Sequence, residues 1–236
     1  MDVSFPSRQP DQARGEASAP APPAAADLRL AQQLRPAILS VLVLSLVTGG
    51  LFPLVLFAIG VFLFPYQAGG SLTLLRGTLV GSRLIGQDFI GPEWFQPRPS
   101  AAGNGYDGTA SGATNLAPDN PKLKEGASGF AGIRALAAQY RRRNGLAPDT
   151  PIPIDAVTRS GSGLDPDISP ANAFLQVARV AKVRTLEEGA VRRLVAEHVV
   201  QPQLGFLGEP RVSVLELNLA LVRLQQQAAP ASQAVR

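Results

Sequence analysis

The sequence has no cysteine and only one histidine, one methionine and one tryptophan in 236 residues. Without cysteine there is no disulfide framework, zinc ribbon or thiol nucleophile, although a cysteine-free chain fits any compartment. The single histidine, His198, excludes multi-histidine metal sites and leaves a serine–histidine triad one possible base. Aromatic residues make up 6% of the chain and few of the 22 lysines and arginines cluster. The net charge of +4 and pI near 10.0 therefore do not describe a nucleic-acid-binding surface. No G-x-x-x-x-G-K-[ST] phosphate loop occurs. What the chain does have is 45% apolar residues, distributed very unevenly.

Residues 1–35, with the stretch APAPPAAAD, offer too few large apolar groups to offset chain entropy and read as a disordered tail. Residues 36–65 then carry no charge, and the uncharged run continues to Leu75. As a helix this stretch would rise roughly 42 Å against a hydrocarbon core of about 30 Å, enough to cross a bilayer with tilt. It is too long for a signal-peptide core, and no small-x-small cleavage site follows at a suitable distance. Gly49, Gly50 and Pro53 predict a bend. The small face at Thr48, Gly49 and Gly50 is expected to pack on another protein helix, the alternative being a kink that faces lipid. Arg29 and Arg35 precede the span and the next basic residue is Arg76. The positive-inside rule thus places the tail in the cytoplasm and residues 66–226 outside it.

Residues 66–226 read as one mixed domain, α/β in the broad sense and α+β in detail, with 227–236 a second disordered tail. LTLLRGTLVGSRLI (72–85) reads as strand and turn. Asn120 and Pro121 are N-cap and first residue of a helix expected to run to RRRNG, where Arg141, Arg142 and Arg143 suit the C-terminus and Asn144-Gly145 the left-handed cap. PIPIDAVT (151–158) reads as a short extended segment. Ser169-Pro170 starts a helix with Phe174, Val177, Ala178 and Ala181 on one face and Gln176, Arg179 and Lys182 on the other. Thr185 and Glu188 look like a capping box for the next helix, whose stripe of Val191, Leu194, Val195 and His198 makes His198 a helix-end group rather than a catalyst. Periodicity leaves residues 212–224 open between strand and helix.

The stretch GNGYDGTASGATNLAPDNP (103–121) contains G-x-G-x-x-G at Gly103, Gly105 and Gly108. A dinucleotide loop must follow a strand and open a helix, and QPRPSAA before it and TASGAT after it do neither. Asp165 and Asp167 have calcium-loop spacing, but the sixth position is Pro170 and the twelfth Gln176, so a capped turn is the better reading. No spacing pairs Glu93, Asp107 or Asp119 for acid–base work. The residues alone thus give no catalytic and no metal site.

GSRLIGQDF (81–89), WFQPRPSA (94–101), YDGTASGATNLAPDNP (106–121), SGSGLDPDISPANAFLQVARVAK (160–182) and VLELNLAL (214–221) together resemble, in order, the C chain of the bacterial potassium-transporting Kdp P-type ATPase. The Ala/Pro-rich extension departs from that family's compact N-terminus. The resemblance implies a non-catalytic accessory subunit of a high-affinity K⁺ uptake complex in the bacterial cytoplasmic membrane. Its partners would be a channel-like K⁺-translocating subunit, a P-type ATPase subunit and a small single-span subunit. It further implies a catalytic chaperone that raises ATP affinity, with ATP and K⁺ handled by the complex and no cofactor held by this chain, and a nucleotide contact at Gln176. The chain lacks both the D-K-T-G-T and T-V-G-Y-G motifs. A domain outside the membrane would put Gln176 tens of ångströms from cytosolic ATP, so the topology argues for coupling rather than contact. Arg98, Asn115 and Asp119 are candidate docking or loop-fixing groups, with turn, cap and structural-donor roles as their plainer readings. The competing classes are a bitopic envelope protein with a cell-wall- or lipid-binding module and an anchored hydrolase built around His198.

Overall fold

The computed structural model describes residues 30–233; of the tails expected at 1–35 and 227–236, residues 1–29 and 234–236 lie outside the described residues, whereas 30–35 and 227–233 are helical. The chain divides into two units, Met1–Ile59 and Gly60–Arg236.

The N-terminal helix α1, Leu30–Leu46, begins upstream of the boundary expected at residue 36. It passes through a π-helical turn, Val47–Leu51, into α2, Phe52–Leu63. Gln32–Leu63 is the one helix among the described residues long and apolar enough to cross a membrane, and none of it is buried. The π turn has a local cause. Pro53 has no N–H for the Gly49 carbonyl, and its ring would crowd that carbonyl in a regular helix. Widening the turn one step upstream lets the Phe52 N–H reach Val47 O instead. The Thr48 hydroxyl occupies a neighbouring acceptor, donating to Leu44 O at 2.7 Å.

The second unit opens with a short helix α3, Pro65–Ala68. The hairpin β1, Leu72–Leu75, and β2, Thr78–Ser82, follows where strand and turn were expected. The segment 83–120 then contains no helix or strand. The helix expected from Pro121 to RRRNG is two helices. Asn120 does cap α4, Pro121–Glu125, accepting from Lys122 N at 2.9 Å. Gly126, at φ 94°, ends it, because no helix continues through that conformation. A two-residue hairpin, β3 Gly126–Ala127 and β4 Phe130–Ala131, separates it from α5, Ile133–Asn144. Gly145 supplies the left-handed C-cap at φ 64°. The expected extended segment at 151–158 is instead centred on a 3₁₀ turn, Ile154–Ala156.

β5, Asp167–Ile168, leads into α6, Pro170–Arg184, capped by Ser169, and on to α7, Glu188–Glu197. Thr185 does not form a capping box with Glu188. It is the left-handed C-cap of α6, and Glu187 occupies the N-cap of α7. β6, Val212–Ser213, pairs antiparallel with β5 and passes directly into α8, Val214–Gln233, which settles the open region as two strand residues followed by helix. The described strands thus form three separate two-stranded antiparallel ladders rather than one parallel sheet, a mixed α+β arrangement.

The core lies between α6, α7 and α8, where Val177, Val180, Val191, Val195, Leu217 and Leu221 are fully buried. Phe95, from the irregular segment, is inserted among them with no exposed surface. Burying a side chain of that size contributes about 2 kcal/mol or more, but only if the backbone carrying it is also satisfied.

Candidate functional site

The backbone of residues 92–98, PEWFQPR, carries the fully buried Phe95 and has no neighbouring strand, so its polar groups need other partners. Side chains supply them. Asn218 of α8, 1% exposed, accepts from Phe95 N at 2.9 Å and donates to Phe95 O at 2.8 Å. Gln176 of α6, also 1% exposed, accepts from Gln96 N at 2.7 Å and donates to Gln96 O at 3.0 Å. Two helices thus offer carboxamides that pair with consecutive residues as a neighbouring strand would. Arg179 donates to Pro92 O and, at 3.0 Å, to Trp94 O. Arg184 donates to Glu93 O at 2.7 Å, with its guanidinium 4.2 Å from the Trp94 ring centroid. Every carbonyl from Pro92 to Gln96 therefore accepts from a side chain.

Gln176 has no capacity to spare. Its oxygen also accepts from Arg179 Nη2 at 2.7 Å, and its amide also donates to Asn172 Oδ1 at 2.9 Å. The face of α6 on which Gln176 and Arg179 sit is therefore interior, and Ala178, expected on the buried face, is exposed. The expectation failed because a polar stripe reads as a solvated face unless the partners that satisfy it are known. Arg179, 7% exposed, also donates to Asn144 Oδ1 at 2.8 Å. Burial first, and the charge of Arg143 second, lower its pKa to about 10, which leaves it protonated at neutral pH. The network continues through Tyr140, whose hydroxyl donates to Asn172 Oδ1 at 2.8 Å. It ends at Asp155, whose carboxylate accepts from Ser169 N, Ser169 Oγ and Asn172 Nδ2 at 2.8, 2.9 and 2.9 Å. Asp155, Arg179, Arg184 and Asn218 were not singled out from sequence. Their residue types carried no spacing signal, because most of their partners lie in other elements, from 14 to 123 positions away.

Beside this clamp, three loops are stitched together. Arg98 pairs with Asp165 at 2.6 Å, and its carbonyl accepts from the Tyr106 hydroxyl. Ser100 Oγ donates to Gly163 O at 2.6 Å and accepts from Tyr106 N at 2.9 Å. Gly112 N donates to Ser162 O at 2.9 Å, and Gly86 N to Leu164 O at 2.6 Å. The contacts are close enough to require glycine at Gly163. It lies at φ 69°, and a Cβ there would sit 2.6 Å from both Ala102 N and Gly112 O.

The glycine-rich run is thus a set of turns fastened to the loop 160–168. Asp107 makes a turn of its own, accepting from Thr109 N and Thr109 Oγ1 at 2.9 and 2.7 Å. Asp165 and Asp167 are each engaged by an arginine, the second by Arg211 at 3.0 Å. Asn115, at φ 51°, and Asp119 are exposed, and their side chains make no hydrogen bond among the described residues. They are not brought together with Gln176. His198 ends α7 with Nδ1 2.8 Å from Leu194 O. Gly49 and Gly50 lie in the π turn of the first unit, with no atom within 4 Å of a Cβ built on Gly49.

The stretches that fit together here are the ones quoted above from the sequence: 81–89, 94–101, 106–121, 160–182 and 214–221. The sequence matches the family described as KdpC, K⁺-transporting ATPase, c chain, over residues 34–223. A potassium-transporting ATPase KdpC subunit of Kineococcus radiotolerans is 52% identical over 197 residues, covering 82% of this chain and 96% of the relative. The subunit of the same name from Mycobacterium tuberculosis is 47% identical over 193 residues, 82% of this chain and 99% of the relative. That from Beijerinckia indica is 48% identical over 190 residues, 80% and 93%.

Proposed function

Because the chain belongs to the KdpC family of K⁺-transporting ATPase c chains, we propose that it serves as a non-catalytic accessory subunit that assembles an ATP-driven potassium uptake complex. In this reading Gln32–Leu63 spans the bacterial cytoplasmic membrane with its N-terminus inside and the mixed domain outside. The domain docks on a channel-like K⁺-translocating subunit, and the helix packs beside it, beside a P-type ATPase subunit and beside a small single-span subunit. Gly49 and Gly50 provide the close-approach surface of that helix.

The observation that carries the reading is that the polar residues of the domain, Gln176 foremost, are spent on holding their own backbone. A side chain with all four bonding positions occupied and 1% exposure is a building element, and a ligand would have to displace those bonds. Its effect on ATP affinity is then a coupling free energy transmitted through the membrane subunits. Arg98 fixes its loop through Asp165, while Asn115 and Asp119 are free to meet the partner.

Affinity purification of the tagged full chain in mild detergent tests the assignment. Both large membrane subunits are expected to co-purify in fixed ratio, and recovery of a stable monomer alone would return the chain to the class of envelope-binding modules. Omitting the chain from the complex should raise the ATP concentration needed for half-maximal hydrolysis; an unchanged value rules out the chaperone role.

A further inference from the structure

We propose that a cavity in the second unit, next to the end of the candidate span, is a binding site for the phosphate headgroup of an anionic phospholipid. This rests on the membrane assignment above but not on the identity of the partners. The cavity, of about 450 Å³, has Tyr66, Leu72, Leu74, Arg83, His198 and Arg223 in its lining.

Three properties fit one ligand. The first is charge. Arg83 is neutralised by its ion pair with Glu216, which also lines the cavity, whereas Arg223 is exposed and makes no ion pair among the described residues. One net positive charge is left for an anion. The second is an unmet donor. Thr73 lines the cavity and its hydroxyl has no hydrogen-bond partner among the described residues, so a turn of that side chain toward the cavity would let it donate to an oxyanion there. The third is an apolar wall that a free anion would not need. Leu72 and Leu74 are 48% and 64% exposed, and Leu79, 55% exposed, stands opposite Leu74 in the hairpin register.

Position decides the source of the phosphate. Tyr66 follows Leu63, the last residue of the candidate span, by three residues, a reach of at most about 10 Å. The cavity mouth is therefore held at headgroup depth, where tyrosine is itself favoured and acyl chains lie against exposed leucines. A soluble phosphate would meet the same cations but gain nothing from that wall.

The test uses the full chain in phosphatidylcholine vesicles doped with a photoactivatable phosphatidylglycerol, with adducts mapped by peptide mass spectrometry. Adducts are expected on the peptides holding residues 66–74 and 216–223. Arg223→Gln should lower their yield about fivefold, the effect of removing one cation near an anionic surface. Leu74→Ser, which removes part of the apolar lining, should lower it as well. A matched phosphatidylcholine probe should label these peptides no more than the Arg223→Gln variant is labelled. The proposal fails if Arg223→Gln and Leu74→Ser label as the parent does, if both probes label equally, or if adducts spare these peptides. Full suppression by excess inorganic phosphate would make the ligand a free oxyanion and also overturn it. Because the chain is used alone, failure here is separate from failure of co-purification.

Discussion

At the scale of single residues, the side chains that matter most are buried carboxamides and guanidiniums whose partners are backbone. Gln176→Ala removes one acceptor and one donor from Gln96 and leaves Arg179 and Asn172 short of a bond each. Unsatisfied buried groups cost about 1–3 kcal/mol, so thermal unfolding of this variant should occur well below the parent. Any loss of ATP affinity in the complex should scale with that destabilisation. A variant of parental stability that still loses ATP affinity would restore a direct nucleotide role.

The tyrosines make a second prediction at this scale. Burial raises the Tyr106 and Tyr140 hydroxyls above the ordinary phenol value, with Asp88 and Asp155 adding to it. A phenol that stays protonated in the folded state but ionises freely once unfolded favours unfolding as pH rises, so its stabilisation is intact below the unfolded value of 10.0 and lost above it. Tyrosine absorbance followed through an alkaline titration should therefore show two phenols ionising together with loss of structure. Ionisation of Tyr106 or Tyr140 near pH 10 in a still-folded domain, followed with Tyr66→Phe as background, would contradict the burial.

At the scale of elements, what was legible in the sequence was whatever local chemistry decides. Asn120-Pro121, Ser169-Pro170 and Gly145 mark helix ends through the conformations and bonds of their own residues, and each lies where expected. The split between α4 and α5 was missed because the conformation of Gly126 is imposed by the hairpin it enters. Thr185 matched a capping box in spacing, but the left-handed turn that closes α6 claimed it first. Residues 83–120 look in sequence like a long loop, and loops of that length inside a compact domain are uncommon. Here α6 and α8 provide through Gln176 and Asn218 what a second strand would provide, and no periodicity in 83–120 reports a partner 80 or 123 positions away. The stitching of loops predicts that Gly163→Ala destabilises the domain by more than the few tenths of a kcal/mol of an ordinary surface change. The added methyl meets two backbone atoms at 2.6 Å, and chemical denaturation would show it. A neutral result would mean that loops 100–113 and 160–168 part easily.

At the scale of the whole molecule, the family assignment rests on blocks that contact one another rather than on a catalytic constellation. The arrangement with one span and the domain outside is open to a direct measurement. A reporter active only outside the cytoplasm, fused after Arg236, should give full signal, and silence would place the domain on the same side as ATP. The same chemistry that was hardest to read, polar groups turned inward, ties the domain's irregular segment to its helices.

The pairing of Phe95 with Asn218 also bears on time. These partners are separated by 123 positions, so the contact waits until nearly the whole chain exists and its large loop has closed. As synthesis proceeds, residues 92–98 emerge early with a phenylalanine and five carbonyls for which no partner has yet been made. The last helix is therefore the step that completes the domain, and a chain cut short before Asn218 would carry most of the sequence while leaving the centre of the fold unmade.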